Sequence, residues 1–417
     1  MNIEKYSIGI GDRFGHQGVA QLEAFVKARE QGIDVVPVWN KSNREHMLIG
    51  TKPADTRIEA DAAVKKLGWK GAHYVDADHI GVKTVDPFLG PSNYFTLDVA
   101  DFIGQKPDDA ALADFTNRWK KYIGTLRFPG LKEGLEVTKE TITSVGRKYL
   151  VAVKEAGKIY RYIESKKGKG NFITEVSSDE TNEPQTPVEL FFILAALSDE
   201  GVPIQTVAPK FTGQFLKGID YVGDLKQFAK ELEQDVAAIA LAIKEFSLPE
   251  TLKISVHSGS DKFSIYPIIN KTIKKFNAGL HLKTAGTTWL EEVIGLAKSG
   301  GSGLQIAKDI YQQSFQRFDE LAKPYLTVID IDPKKLPDPT KVRGWSSEDF
   351  VAALQHDQSK AQYNTSFRQL VHIGFKVAAE MGSRYTSALD ESHKVINSGV
   401  THNIYERHLK PIFLNHD

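Results

Sequence analysis

Apolar positions along the chain switch repeatedly between a two-residue repeat and a helical repeat of about 3.6 residues. Tyr6, Ile8 and Ile10 alternate with small residues, and Gly11-Asp12-Arg13-Phe14-Gly15 then leads into an amphipathic stretch at 17–29. That is strand, loop, helix, and the same order recurs. Strands are predicted at 6–10, 33–39, 73–75, 94–99, 172–176, 204–207, 254–256, 280–282 and 326–331. Helical patterns fall at 17–29, 55–67, 108–122, 139–166, 188–199, 225–245, 289–298 and 304–321, and an all-helical block runs from Ser346 to Leu409. Strands separated by helices argue for a parallel sheet, because parallel neighbours need a long crossover. An α/β fold of the closed (β/α)8 TIM-barrel type, with additional C-terminal helices, fits these signals better than an open sheet. Residues 1–345 are then the barrel, and 346–417 a helical segment packed on it.

Several function classes are excluded by what the chain does not contain. The segment Ile8–Gly15 imitates the glycine spacing of a dinucleotide-binding turn, but no complete Gly-x-Gly-x-x-Gly joins a strand to a helix. No phosphate-binding loop of the Walker type, Gly-x-Ser-x-Gly elbow or His-Glu-x-x-His occurs either. The 53 basic and 53 acidic side chains cancel, so no bulk field favours nucleic acid or an anionic membrane. No run approaches the roughly 20 apolar residues of a membrane span, and the N-terminus lacks the pattern of a secretion signal, so a cytoplasmic location is expected. The composition sets no oligomeric state. Without cysteine, any metal must be held by imidazole, carboxylate or amide oxygen.

Three strand-like runs end in the same chemistry. KISVHSGSDKFSIY carries His257, Ser258, Ser260, Asp261 and Lys262; AHYVDADHIG carries Asp76, Asp78 and His79; GLHLKTAGTT carries His281, Lys283 and Thr284. In a parallel barrel these ends share one mouth, which makes His79, His257 and His281 candidate ligands of one divalent metal. His16 and His73 are weaker candidates, and His372 falls in a helical pattern that favours a core role. Asp76, Asp78, Glu175 and Asp179 sit at or near strand exits, where a barrel enzyme keeps its acids and bases. Asp179 also reads as a helix cap. Glu175 lies within FITEVSS among apolar and small residues, so burial is expected to raise its pKa and suit it to proton donation.

The stretches VDADHIG, ITEVSSDET, KFTGQFLKGIDYVGDL, KISVHSGSDKFSIYP, HLKTAGTT and RQLVHI, in this order, resemble the tagaturonate epimerase family from Gly11 to about Lys376. The resemblance implies an enzyme that interconverts D-tagaturonate and D-fructuronate by inverting C4, using a divalent metal; imidazole ligands suit zinc, manganese, cobalt or nickel. It further implies Asp78 as proton acceptor, Glu175 as proton donor, and His79 and His257 as metal ligands, with His281 as a further ligand. The substrate is a small sugar acid, and Asp12, Arg13, Gln214, Lys217, Ser258, Asp261, Lys262 and Lys283 are its expected contacts. Lys217, Lys262 and the amides of 258–260 are the candidates for its carboxylate. Two other readings are open: a ketose 4-epimerase or metal-dependent aldolase acting on neutral or phosphorylated sugars, and a non-catalytic sugar-binding barrel.

Overall fold

The computed structural model describes every residue except Glu180, Asn182, Gly259, Gly286 and 415–417, and at Ala285 the backbone alone. Ten strands form in chain order: β1 (Tyr6–Ile10), β2 (Val36–Ser42), β3 (Tyr74–Ile80), β4 (Tyr94–Asp98), β5 (Gly124–Leu126), β6 (Leu135–Val137), β7 (Ile173–Ser177), β8 (Thr206–Ala208), β9 (Lys253–His257) and β10 (Leu280–Ala285). Eight of them close a parallel barrel in the order β1-β10-β9-β8-β7-β4-β3-β2, and β5 and β6 pair as a separate antiparallel hairpin. Closure brings the C-terminal ends of all eight barrel strands to one mouth.

Alternation along each strand divides the side chains between two shells. Leu280 and Leu282 of β10, Val75 and Ala77 of β3, and Ile254 and Val256 of β9 belong to the large apolar core between barrel and helices. The intervening residues point into the barrel. Ile3, Val36, Val38, Tyr74, Tyr94 and Ile173 form a second buried apolar cluster near the strand starts, which closes the floor. Above that floor the interior is polar: Ser7, Asp76, Thr96, Glu175, Thr206, Ser255, His281 and Lys283 are all buried.

The expected strand at 326–331 does not form. The chain there follows the 3-10 turn Lys323–Tyr325, with Leu326 exposed and Val328, Ile329 and Ile331 resting on the core. Eight strands already close the sheet, so this run has no edge to join. Its apolar residues cover the core as a loop. The C-terminal helices pack on the barrel's helical shell: helix His393–Ile404 lies against Thr288–Ser299 and Gly18–Glu30, with the Thr401 hydroxyl donating to the Ala20 carbonyl at 2.8 Å. No helix among the described residues is long and apolar enough to cross a membrane.

One buried carboxyl in the outer layer has a measurable consequence. Asp235, on helix Leu225–Phe246, is 1% exposed, and its Oδ1 has no hydrogen-bond partner among the described residues. Burial, with Glu231 adding to it, raises its pKa well above the ordinary carboxylate value. The unfolded chain loses this proton near pH 4 while the folded chain keeps it, so stability is full below that pH and falls as pH rises through the folded value. Asp235→Asn is therefore expected to stabilise the protein at pH 8 by about 1–3 kcal/mol and much less at pH 4. Urea denaturation at the two pH values measures this; an equal effect at both would show that the carboxyl is not neutral in the fold.

Candidate active site

The polar layer is organised around one ammonium. Lys283 reaches from β10 across the interior, placing Nζ 2.9 Å from Asp76 Oδ2, 2.8 Å from Asp78 Oδ1 and 3.3 Å from Glu175 Oε1. It also donates to the Thr96 hydroxyl. Burial works against the charge on Lys283, but Asp76, Asp78 and Glu175 outweigh it and hold the ammonium protonated. Asp76 is buried, and desolvation raises its pKa to about 7 despite Lys283. Asp78 lies at the mouth, its side chain 13% exposed; burial would raise its pKa, yet Lys283 and His79 hold it below the ordinary value.

Glu175 differs from expectation. It is fully buried, but Oε1 lies 2.9 Å from His257 Nε2 and accepts from the Thr96 hydroxyl at 3.2 Å, while Oε2 accepts from the Tyr94 hydroxyl at 2.9 Å. Desolvation alone would raise its pKa; Lys283 and His257 overcome that and take it well below the ordinary value. The buried carboxylate is ionised, and it fixes the His257 ring from behind.

Just above, His79, Asp179 and His257 bring ligand atoms within 4.8 Å of one another. His257 Nδ1 lies 3.1 Å from Asp179 Oδ2, and the two imidazole rings meet edge to face with centroids 5.3 Å apart. His79 Nδ1 is 3.6 Å from Asp98 Oδ2, and its Nε2 is 3.7 Å from Asp78 Oδ1. His79 Nδ1 and His257 Nδ1 are buried without a hydrogen-bond partner among the described residues, although carboxylates lie close by. The three side chains gather their donor atoms in one small volume. Burial lowers the basicity of both rings, but Asp78 and Asp98 raise His79 to about 10, and Asp179 and Glu175 raise His257 to about 9. The site attracts positive charge.

Backbone geometry explains how Asp78 and His79, adjacent in sequence, both reach this point. His79 has φ +50°, and the register between β3 and β4 shifts between Ala77 and Ile80, which breaks the alternation that would turn one side chain outward.

His281, expected as a ligand, is not part of this group. The register pairs Lys283 with His257 and His281 with Ser255, so His281 starts two residues deeper, roughly 6–7 Å below the level of His257. Its Nδ1 is bonded to the Ser7 hydroxyl at 2.9 Å, and burial lowers its pKa to about 3. The third ligand atom offered is a carboxylate oxygen of Asp179.

Several expected substrate contacts face elsewhere. Asp12 caps its own loop, accepting from the amides of Phe14 at 3.0 Å, Gly15 at 2.9 Å and Gln17. The Ser258 hydroxyl donates to the carbonyls of Lys283 at 3.1 Å and Thr284 at 2.9 Å. Asp261 is fully buried against Arg368 at 2.7 Å, and Lys262 donates to the carbonyls of Leu216, Ile219 and Ser260 at 2.6–2.8 Å. Gln214 is exposed on an isolated bridge to Val222. Arg13 and Lys217 do face the rim. Arg13 Nε is 3.2 Å from Glu45, which also caps Ser42, the register partner of Asp78. Lys217 and Arg44 lie over the Tyr325 ring at 5.8 and 5.1 Å. His372 is buried in its helix, as its pattern predicts, while His16 and His73 pair with Asp390 and Asp61 away from the cluster.

Asp98, Thr96 and Tyr94 carry parts of the site that the sequence reading did not single out. The strand-exit rule that selects Asp78 selects Asp98 equally, since it is the last residue but one of the predicted strand at 94–99 and ends β4.

A closed parallel barrel with ionisable side chains gathered at its C-terminal mouth defines an α/β-barrel enzyme. Over residues 1–412 the chain matches the family described as tagaturonate epimerase, and it belongs to that family of isomerases. It is 28% identical to the tagaturonate/fructuronate epimerase of Thermotoga maritima, with 97% of this chain and 80% of that protein covered. A glycerol-complexed crystal structure of fructuronate-tagaturonate epimerase from Cohnella laeviribosi superimposes with a TM-score of 0.81 at 24% identity, covering 99% of this chain and 82% of that one. A second structure of the same enzyme, with two glycerols, gives a TM-score of 0.80 at 25% identity, covering 100% and 83%. The barrel and the epimerase class both agree with the expectation from the sequence.

Proposed function

We propose that this protein interconverts D-tagaturonate and D-fructuronate by inverting C4, and that His79, Asp179 and His257 hold a divalent metal for the reaction. Family membership supports the substrate pair, and the convergence of two imidazoles and a carboxylate beside Asp78 and Lys283 is the observation that carries the mechanism. Two nitrogen donors and one oxygen donor suit zinc, manganese, cobalt or nickel. A divalent ion there would polarise the C2 ketone and acidify the C3 hydroxyl.

The hydrogen on C4 is β to the ketone and is not acidic, so inversion by proton removal from C4 is a poor route. Breaking C3–C4 is easier. Asp78, kept ionised by Lys283 at 2.8 Å, takes the O4 proton. The O4 electron pair forms the aldehyde as C3–C4 cleaves, and the electrons of that bond pass into a C2–C3 enediolate. After the aldehyde turns its other face, C3–C4 re-forms and O4 recovers its proton with inverted configuration. Glu175 holds the His257 ring through Nε2 at 2.9 Å and leaves Nδ1 facing Asp179, where it would be free to bind the metal. The C6 carboxylate is placed at the cationic rim, on Arg13 and Lys217.

The test is incubation with D-tagaturonate and chromatographic detection of D-fructuronate before and after treatment with EDTA. Activity is expected to vanish on chelation and to return with manganese or zinc. Activity unaffected by exhaustive chelation would remove the metal, and accumulation of a free three-carbon aldehyde without fructuronate would turn the reading towards an aldolase.

A further inference from the structure

The C-terminal helices hold one side chain whose contacts do not fit a purely outer role. Arg368, on helix Thr365–Ile373, is fully buried, and its guanidinium touches three of the loops that leave the barrel mouth. Nη2 lies 2.7 Å from Asp261 Oδ2 in the loop after β9, and 3.0 Å from the Thr287 hydroxyl in the loop after β10. Nε donates to the Gly218 carbonyl in the loop after β8, and Nη1 donates to the Leu354 carbonyl at 2.8 Å. These loops follow directly from His257 and Lys283, and the third contains Lys217.

We propose that Arg368 is a positioning residue, which holds His257 and Lys283 in register through Asp261 and Thr287. Two observations support this. A buried charge is costly, and an apolar side chain would fill the same space; a planar fork with five N–H donors is needed only where several acceptors must be held at fixed angles. Strained backbone lies beside these contacts: Ser260 has φ +95° and Asp261 φ +35° in the loop after β9, and Thr284 has φ +63° near the end of β10. Residues with a Cβ adopt such angles only where surrounding contacts impose them. Asp261 is enclosed from the same side by His356 at 3.4 Å and by His408 at 3.3 Å, the latter in the π-helical turn Tyr405–Leu409. On this reading helix Thr365–Ile373 positions the site from outside the barrel.

The proposal rests on the metal reading for one of its three readouts, and the experiment separates them. Arg368→Lys keeps a charge opposite Asp261 but cannot reach Thr287, Gly218 and Leu354 together. It is expected to weaken manganese binding about tenfold, to lower kcat more than it raises KM, and to speed amide exchange in 258–262 and 284–288. Ile396→Val, a buried change elsewhere in the C-terminal helices, should leave all three unchanged. Should Arg368→Lys fail to fold, Thr287→Val removes only the hydroxyl that Arg368 shares with Asp261, and is expected to move the same readouts in the same direction. Manganese affinity, kcat and loop exchange all at wild-type values in the folded variant would overturn the proposal. Wild-type protein that takes up no manganese would overturn the metal reading instead and leave loop exchange to decide this one.

Discussion

Lys283→Met is expected to abolish epimerase turnover, with a loss of at least about 1,000-fold, and to destabilise the fold by about 3–5 kcal/mol. Its ammonium is 3% exposed and is shared by Asp76, Asp78 and Glu175. A methionine of similar length fills the space but leaves three carboxylates facing one another with no cation among them. At least one must then take up a proton. Asp78 is the most exposed of the three and gains its low pKa mainly from Lys283, so its capacity to accept the O4 proton falls with the lysine. Turnover of D-tagaturonate and urea denaturation at pH 7 measure the two effects. A variant that folds and retains more than a tenth of wild-type kcat would show that the ammonium does not control the base.

The barrel was legible because its strands are buried on both faces yet alternate over most of their length. Leu280 and Leu282 face helices while His281 and Lys283 face the interior, and that two-residue repeat survives in the sequence. Depth along the barrel axis does not survive in the same way. His281 and Lys283 share a face, but a difference of two residues moves a side chain by roughly 6–7 Å, three times the length of a metal–nitrogen bond. A pattern of period two cannot tell the layer of His79 and His257 from the layer beneath it. Loop direction was also hidden. Asp261 and Lys262 stand within five residues of His257, yet positive φ at Ser260 and Asp261 turns both into the protein body. Partners that decide this, Arg368 and the carbonyls of Leu216 and Ile219, lie more than 40 residues away in sequence.

Glu175 is buried as its segment predicts, but its pKa moves opposite to the expectation. A carboxyl in an apolar segment was expected to be protonated, but pKa follows the groups a strand faces across the barrel, and those are Lys283 and His257. The two roles separate in Glu175→Gln. All four partners of the carboxylate are donors, but the Tyr94 hydroxyl can turn to accept, since it already lies 2.6 Å from the Thr206 hydroxyl. The amide therefore keeps its oxygen on His257 and its NH2 on Tyr94, and the ring stays in place without the negative charge that, in the proposed metal site, strengthens Nδ1 as a donor. Manganese affinity is expected to weaken by about 10–100-fold, and kcat at saturating metal to fall by about 100-fold. A general acid lost from the same position would lower kcat alone. Unchanged manganese affinity with turnover abolished would return Glu175 to proton donation and require that it be protonated when substrate is bound.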